Sequence, residues 1–304
     1  MRRFLIDTDT ASDDAVALVM ALKHPEVQVE AITIVAGNVP RDQAVQNALY
    51  TVELCAAAVP VYAGAPAPLE RPLETAQFVH GEDGMGDIGL RLEGQIPAGG
   101  GAVDTIIEII TNNPGEVTLV TLGPLTNVAI ALTRDPSLAS KVSECVIMGG
   151  TGQGPGNVTA DAEFNIWVDP EAARIVFESG MPITLVGWDI STRYATFGPE
   201  EARALRDIGT DLARFCIDIQ ATLTKYAVEV SGLAGFDLPD PIAMAIALAP
   251  GIATRTRPVF IAVGTREFDR GATHISESRK PNVDLVQEAD RERFVAVLQA
   301  ALSG

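Results

Sequence analysis

Cysteine, histidine and aromatic residues are scarce in this sequence, with three cysteines, three histidines and 5% Phe, Trp and Tyr among 304 residues. Cys55, Cys145 and Cys216 are far apart and form no Cys-x-x-Cys pair. That suggests neither a disulfide framework nor a thiolate zinc site, and it fits a reducing compartment. Basic residues are also few: 22 Lys and Arg stand against 40 Asp and Glu, a net charge of −18. Such a charge repels phosphate backbones and anionic membrane surfaces, so general nucleic-acid binding is excluded as the leading function. No apolar run reaches the ~20 residues of a membrane span. The longest charge-free stretches, such as Val117 to Thr133, contain Gly and Pro. After Met1-Arg2-Arg3 the apolar run Phe4-Leu5-Ile6 stops at Asp7, before a signal-peptide core can form. The expectation is a soluble, cytoplasmic protein with no membrane or nucleic-acid partner.

What is present is an ordinary globular composition, 47% hydrophobic and 20% charged, able to build a sizeable core. Phe4 to Ile6, Val29 to Val35, Val117 to Leu122, Cys145 to Met148 and Ile183 to Val186 read as buried strands. Between them Asp14 to Leu22, Gln43 to Ala58, Val103 to Thr111, Leu125 to Leu132 and Pro170 to Glu178 read as helices. This order predicts an α/β fold, a doubly wound, mainly parallel sheet with helices on both faces, in a single domain over 1–304. Pro199 to about Val230 reads as two helices. Pro241 to Ala249 reads as another, Val259 to Val263 and Gly271 to Ser276 as strands, and Asp290 to Leu302 as a last helix. Ligands of such sheets bind beyond the carboxyl ends of the strands.

There the first strand runs into Asp7-Thr8-Asp9-Thr10-Ala11-Ser12-Asp13-Asp14, four carboxylates within eight residues. One would serve as a helix cap. Two like charges at ~4 Å repel by about 4 kcal/mol at an effective dielectric of 20, and the next cation along the chain is Lys23. A hard divalent cation held by oxygen ligands would offset that repulsion, which favours Ca²⁺ or Mg²⁺ over zinc. An exposed acidic turn is the alternative.

Asp7-Thr8-Asp9 followed by Asp13-Asp14 resembles the signature of the inosine-uridine-preferring nucleoside hydrolases. Further matches follow in family order: Gly37-Asn38, His80-Gly81, Leu122-Gly123-Pro124-Leu125-Thr126-Asn127, Met148-Gly149-Gly150, Asn157-Val158-Thr159, Ala162-Glu163-Phe164-Asn165 and Asp240-Pro241. The resemblance implies a Ca²⁺ held by the side chains of Asp9, Asp14 and Asp240 and the carbonyl oxygen of Leu122. With a bidentate Asp14, one water and two ribose hydroxyls, about eight oxygens result, within the range of calcium. It also implies a ribonucleoside substrate contacted by Asp13 and Asn38 near the 2′ hydroxyl. Asn157, Glu163 and Asn165 would serve the 3′ and 5′ side, and Met148 and Phe164 the sugar's apolar surface. His80 and Tyr226 match mobile segments over the pocket and would reach the 5′ hydroxyl or the base. Core packing is the alternative for Met148 and Phe164, turn formation for Asn157 and Asn165, loop packing for His80 and helix packing for Tyr226. Trp167 and Trp188 could stack on a base, but their strand or post-strand context reads as core. The implied reaction has Asp9 deprotonate a water acidified by the cation, with attack on the anomeric carbon. Asp7 reads as a structural carboxylate. Relatives with this fold commonly form dimers or tetramers, so a homodimer or homotetramer is expected.

The chain departs from the family at Pro239, where many members carry a His that protonates the leaving base. The departure predicts faster turnover for substrates whose leaving group needs no proton. Two other readings remain open: a nucleoside- or ribose-binding protein without turnover, and a magnesium-dependent phosphatase. Asp7-Thr8-Asp9-Thr10 also resembles the first motif of haloacid dehalogenase-type phosphatases, and there Lys141, with Asp161 or Glu163, would have to complete the site.

Overall fold

Runs of Val, Ile and Leu on both strand faces form parallel sheets when helices cover both sides. In the computed structural model, which describes residues 1–304, the chain runs β1 (Arg2–Thr8), α1 (Ser12–Lys23), β2 (Val27–Ile34), α2 (Arg41–Leu54), β3 (Val61–Ala63), α3 (Gln77–His80) and α4 (Ala102–Asn112). It continues through β4 (Val117–Thr121), α5 (Thr126–Arg134), β5 (Glu144–Met148), α6 (Phe164–Val168), α7 (Pro170–Glu178), β6 (Ile183–Val186), α8 (Trp188–Tyr194) and β7 (Thr196–Phe197). The remainder holds α9 (Pro199–Arg206), α10 (Asp211–Asp218), α11 (Ala221–Glu229), β8 (Phe236–Asp237), α12 (Pro239–Leu248), β9 (Ala253–Val263), β10 (Thr273–Ser276), β11 (Val283–Ala289) and α13 (Arg291–Ser303).

Nine strands form one sheet in the order β10-β9-β11-β6-β5-β4-β1-β2-β3, while β7 and β8 pair separately. Neighbours from β3 to β11 are parallel; β9 is antiparallel to β11, and β10 to β9. This is the expected mainly parallel, doubly wound α/β domain. The chain leaves β1 for β2 and β3 on one side and returns to β4 on the other. Strand order therefore reverses between β1 and β4, where the crevice of such a sheet opens. Side chains alternate across the sheet: Phe4 and Ile6 pack with α1, α2, α12 and α13, and Leu5 with α4, α5 and α7 on the other face. Each of these fully buried side chains contributes about 1.5–3 kcal/mol relative to exposure. Every residue of α12 is buried, so Asp240 in its first turn is held deep beneath the crevice.

The structure differs from the sequence reading in several elements, among them short ones such as β3, α6 and α8 that were not expected. Residues 199–229 form three helices, not two, because Gly209 turns at φ +87° and the Thr210 hydroxyl caps α10 by accepting from the Ala213 N–H. The strand β11 was passed over because Asp284, Gln287 and Glu288 dilute its apolar alternation. His80 ends a single helical turn rather than sitting in a loop, and Gly81 stops that turn at φ +95°. Trp167 and Trp188 lie in helices and are half-buried, not core.

Candidate active site

The end of β1 is set by hydrogen bonds to its neighbours. Asp7 Oδ2 accepts from Thr33 Oγ1 on β2 at 2.6 Å and from Asn127 Nδ2 on α5 at 2.8 Å, which ties three elements together. Burial pushes its carboxyl up to about 7, against the lowering effect of these two donors. Two residues on, Asp9 Oδ2 accepts the Asn38 backbone N–H at 2.6 Å, while buried Oδ1 has no partner. Two glycines make room for this carboxylate. A Cβ on Gly37 would stand 2.1 Å from Oδ2, and one on Gly123 would stand 2.5 Å from Oδ1.

Asp14 is partly a cap: its Oδ2 accepts the Ala11 N–H at 2.9 Å, and its Oδ1 accepts from Thr8 Oγ1 at 2.5 Å. The cap explains one acidic residue and not the rest. Asp13, Asp14 and Asp240 are all buried, and each offers an oxygen within 4.8 Å of the others. Asp13 Oδ1 has no hydrogen-bond partner. Burial and mutual repulsion raise Asp9 and Asp240 well above the usual carboxylate range, while burial is the main cause lifting Asp13 and Asp14 to about 6. No Lys or Arg pairs with the cluster. Buried oxygen donors without nitrogen or sulfur suit a hard divalent cation, and the unpartnered oxygens are ready acceptors for one. The trio assembled here includes Asp13; Asp9 stands just outside it, within reach of the charges on Asp14 and Asp13.

Above the trio lies a cavity lined by Asp13, Asn38, His80, Leu122, Met148, Asn157, Glu163, Phe164, Asn165, Tyr226 and Asp240. Asp9 and Asp14 are buried and do not line it. Asn165 Nδ2 donates to Leu122 O at 2.8 Å and to Met148 O at 3.3 Å, which fixes the two strand ends against each other. Leu122 O keeps a second lone pair. Glu163 caps α6, taking N–H donors from Asn165 on Oε1 and from Gly150 and Ile166 on Oε2; burial still lifts it to about 7. Asn157 Oδ1 accepts the Phe164 N–H at 2.9 Å, so it forms a turn and also faces the cavity. His80 Nδ1 lies 3.0 Å from Ser12 Oγ and 3.7 Å from Asp13 Oδ1, and burial lowers its imidazole to about 4, leaving it neutral at pH 7.

The mouth adds residues that sequence reasoning missed. Phe78 meets the Tyr226 ring edge-on with centroids 5.6 Å apart, and Trp188, Leu223 and Asp237 complete the wall beside Pro239. Burial pushes Asp237 up to about 7. Its only prior signal was its place three residues before Asp240. No Lys or Arg lines the cavity. The arrangement required by the phosphatase reading is absent: Lys141 pairs with Asp135 at 3.6 Å, away from the cavity, and Asp161 is exposed.

The sequence profile of inosine-uridine preferring nucleoside hydrolases matches residues 4–296. The chain belongs to that family. It is a hydrolase of the N-glycosyl bonds of nucleosides. Among relatives of this nucleoside hydrolase, the pyrimidine-specific ribonucleoside hydrolase RihA of Salmonella paratyphi C is 37% identical over 305 residues, covering 98% of this chain and 97% of the relative. The structure of the plant nucleoside hydrolase PpNRh1 superposes with a TM-score of 0.95 at 33% identity, covering 100% of this chain and 99% of that one. The purine-preferring ribonucleoside hydrolase from Gardnerella vaginalis superposes with a TM-score of 0.93 at 31% identity, covering 100% and 98%. The similar proteins thus include one named for pyrimidines and one for purines. No helix of this nucleoside hydrolase is long and apolar enough to cross a membrane.

Proposed function

We propose that this enzyme hydrolyses ribonucleosides to free base and ribose with the help of one Ca²⁺. The observation that carries the reading is the convergence of buried Asp13, Asp14 and Asp240, of which Asp13 and Asp240 line a cavity that also presents Asn38, Glu163 and Asn165. Asp9, Asp14, Asp240 and the Leu122 carbonyl would hold the cation, with Asp13 beside it. When bound, a hard cation supplies positive charge that acidifies water and holds sugar hydroxyls.

Asp9 takes a proton on its free Oδ1 as the water oxygen bonds to C1′ and the bond from C1′ to the base nitrogen breaks. The carboxylates around the floor stabilise the positive charge that develops on the ribosyl ring. Asp13 and Asn38 recognise the 2′ hydroxyl; Asn157, Glu163 and Asn165 serve the 3′ and 5′ side, and Met148 and Phe164 pack on the sugar. Buried polar groups of this kind penalise a sugar that lacks the matching hydroxyl. His80 and Tyr226 face the 5′ hydroxyl and the base.

Incubation with a panel of ribonucleosides and with p-nitrophenyl phosphate tests the reading. Release of reducing sugar supports it. Binding without turnover, or ester cleavage alone, overturns it. We further place the enzyme in the cytoplasm, where its three free, buried cysteines stay reduced, and expect a homodimer or homotetramer by sedimentation.

A further inference from the structure

Pro239 lines the cavity and has no proton to donate, which leaves the departing base without an evident donor there, and the cavity offers few others. His80 is neutral, and its Nδ1 is engaged with Ser12. Four carboxyl groups line the cavity: Asp13, Glu163, Asp237 and Asp240. Asp13 and Asp240 belong to the acidic trio on the floor. Both Glu163 oxygens accept backbone N–H groups, which favours the ionised acceptor and disfavours a donor. Among these four carboxyl groups Asp237 alone remains. We propose that Asp237 is the general acid that protonates the leaving base, a role that rests on the nucleoside hydrolase reading above.

The hydrogen-bond count around Ser191 supports this. Ser191 Oγ lies 3.0 Å from two oxygens, Trp188 O and Asp237 Oδ2. A hydroxyl has one proton to donate, and a backbone carbonyl can only accept. When Ser191 donates to Trp188 O, its contact with Asp237 becomes a hydrogen bond only if Asp237 carries the proton and donates to Oγ. When Asp237 is ionised, the hydroxyl turns and donates to Oδ2 instead. Ser191 therefore accommodates both states of the acid. Besides burial and the Ser191 hydroxyl, the influences on Asp237 are the charge of Asp13 and its own backbone N–H, and no Lys or Arg side chain lines the cavity to hold it ionised. Burial pushes its carboxyl up to about 7.

The step balances. The C1′–N bond breaks with its electron pair moving to the base nitrogen system, and the proton leaves the Asp237 carboxyl for the base. A new C1′–O bond forms to water, whose proton passes to Asp9. Exchange with solvent returns one proton to Asp237 and removes one from Asp9.

The test uses leaving groups of different need. Inosine and uridine require a proton; p-nitrophenyl riboside leaves as a stable phenolate, and N-ribosylnicotinamide leaves as a neutral amide. In Asp237→Asn, which preserves shape and can still accept from Ser191, kcat for inosine and uridine should fall by ~10²-fold or more, the lower range for a general acid. With p-nitrophenyl riboside and N-ribosylnicotinamide, kcat should stay within a few-fold. Asp237→Glu should recover part of the lost nucleoside activity. An equal loss on all four substrates, or no loss on any, overturns the inference while leaving the hydrolase reading intact. A wild-type protein that cleaves none of the four overturns both.

Discussion

The backbone N–H of Asn38 donates to Asp9 Oδ2 at 2.6 Å, and the other oxygen of the same carboxylate is buried with no partner. One oxygen anchors the side chain and the other is left for chemistry. Asp9→Asn keeps the shape of the group and removes the base. We expect kcat to fall by ~10²-fold or more while nucleoside binding persists. Steady-state kinetics with a calorimetric Kd checks this, and a near-normal kcat would show that another group deprotonates the water.

Asp14→Ala should abolish stable calcium binding, because it removes carboxylate oxygens from the trio and leaves Asp13 and Asp240 repelling each other. Metal analysis of the purified variant decides the matter; full calcium content would refute the ligand assignment. Asp14 also accepts from Thr8 and Ala11, so Asp14→Asn serves as the variant that best preserves the start of α1.

Seven buried carboxyl groups, Asp7, Asp9, Asp13, Asp14, Glu163, Asp237 and Asp240, are raised chiefly by burial. A raised acid binds its proton more tightly in the folded state, so it stabilises fully below its unfolded value and loses that contribution as pH rises through the folded one. His80 acts in the opposite sense, costing stability as pH falls from 6.5 towards 4. Raised Asp169 and Asp189 act in the same sense as the seven and lowered His24 in the sense of His80, while lowered Asp135, Glu201 and Asp269 titrate below the pH range compared, so the raised carboxyls set the sign. Chelated protein should therefore melt at a lower temperature at pH 7.5 than at pH 5.5. Calcium should raise Tm more at the higher pH, by several degrees at ~100 times its Kd. Thermal scans with and without EDTA check this; a calcium effect that is larger at pH 5.5 would contradict it.

Asn127 is a structural keystone beneath the site, donating to Asp7 Oδ2 and Ile34 O while its Oδ1 accepts the Ala65 N–H at 2.8 Å. Asn127→Ala strands these buried groups and should cost ~2–4 kcal/mol. Urea unfolding measures it, and a loss under ~1 kcal/mol would mean that water or a neighbour replaces the amide.

Legibility in the sequence followed the physics of each residue. The turn from β1 into α1 was readable because a buried strand, a cluster of carboxylates and a helical period are local signals. Gly37 and Gly123 were visible as parts of motifs, yet their reason, the space each leaves for Asp9, exists only once β1, β2 and β4 lie side by side. The short β3 offered too few residues for a period. Asp237 and Trp188 carried no local pattern, since each reaches the cavity through the packing of segments distant in the chain. Asp13 was assigned to the sugar, and its approach to Asp240 appears only after α12 threads beneath the crevice.

The absence of Lys and Arg from the cavity wall bears on what the enzyme leaves alone. A 5′-phosphate would enter a cavity whose walls carry carboxylates and no basic side chain to receive it, and repulsion between like charges grows as water is excluded. Phosphorylated nucleosides are thus expected to be screened out by the site's own charge, without any dedicated barrier, which would spare coenzymes and nucleic-acid precursors. Uridine 5′-phosphate should neither be cleaved nor compete measurably with uridine, and competitive inhibition at concentrations near the uridine KM would show that the site tolerates a phosphate after all.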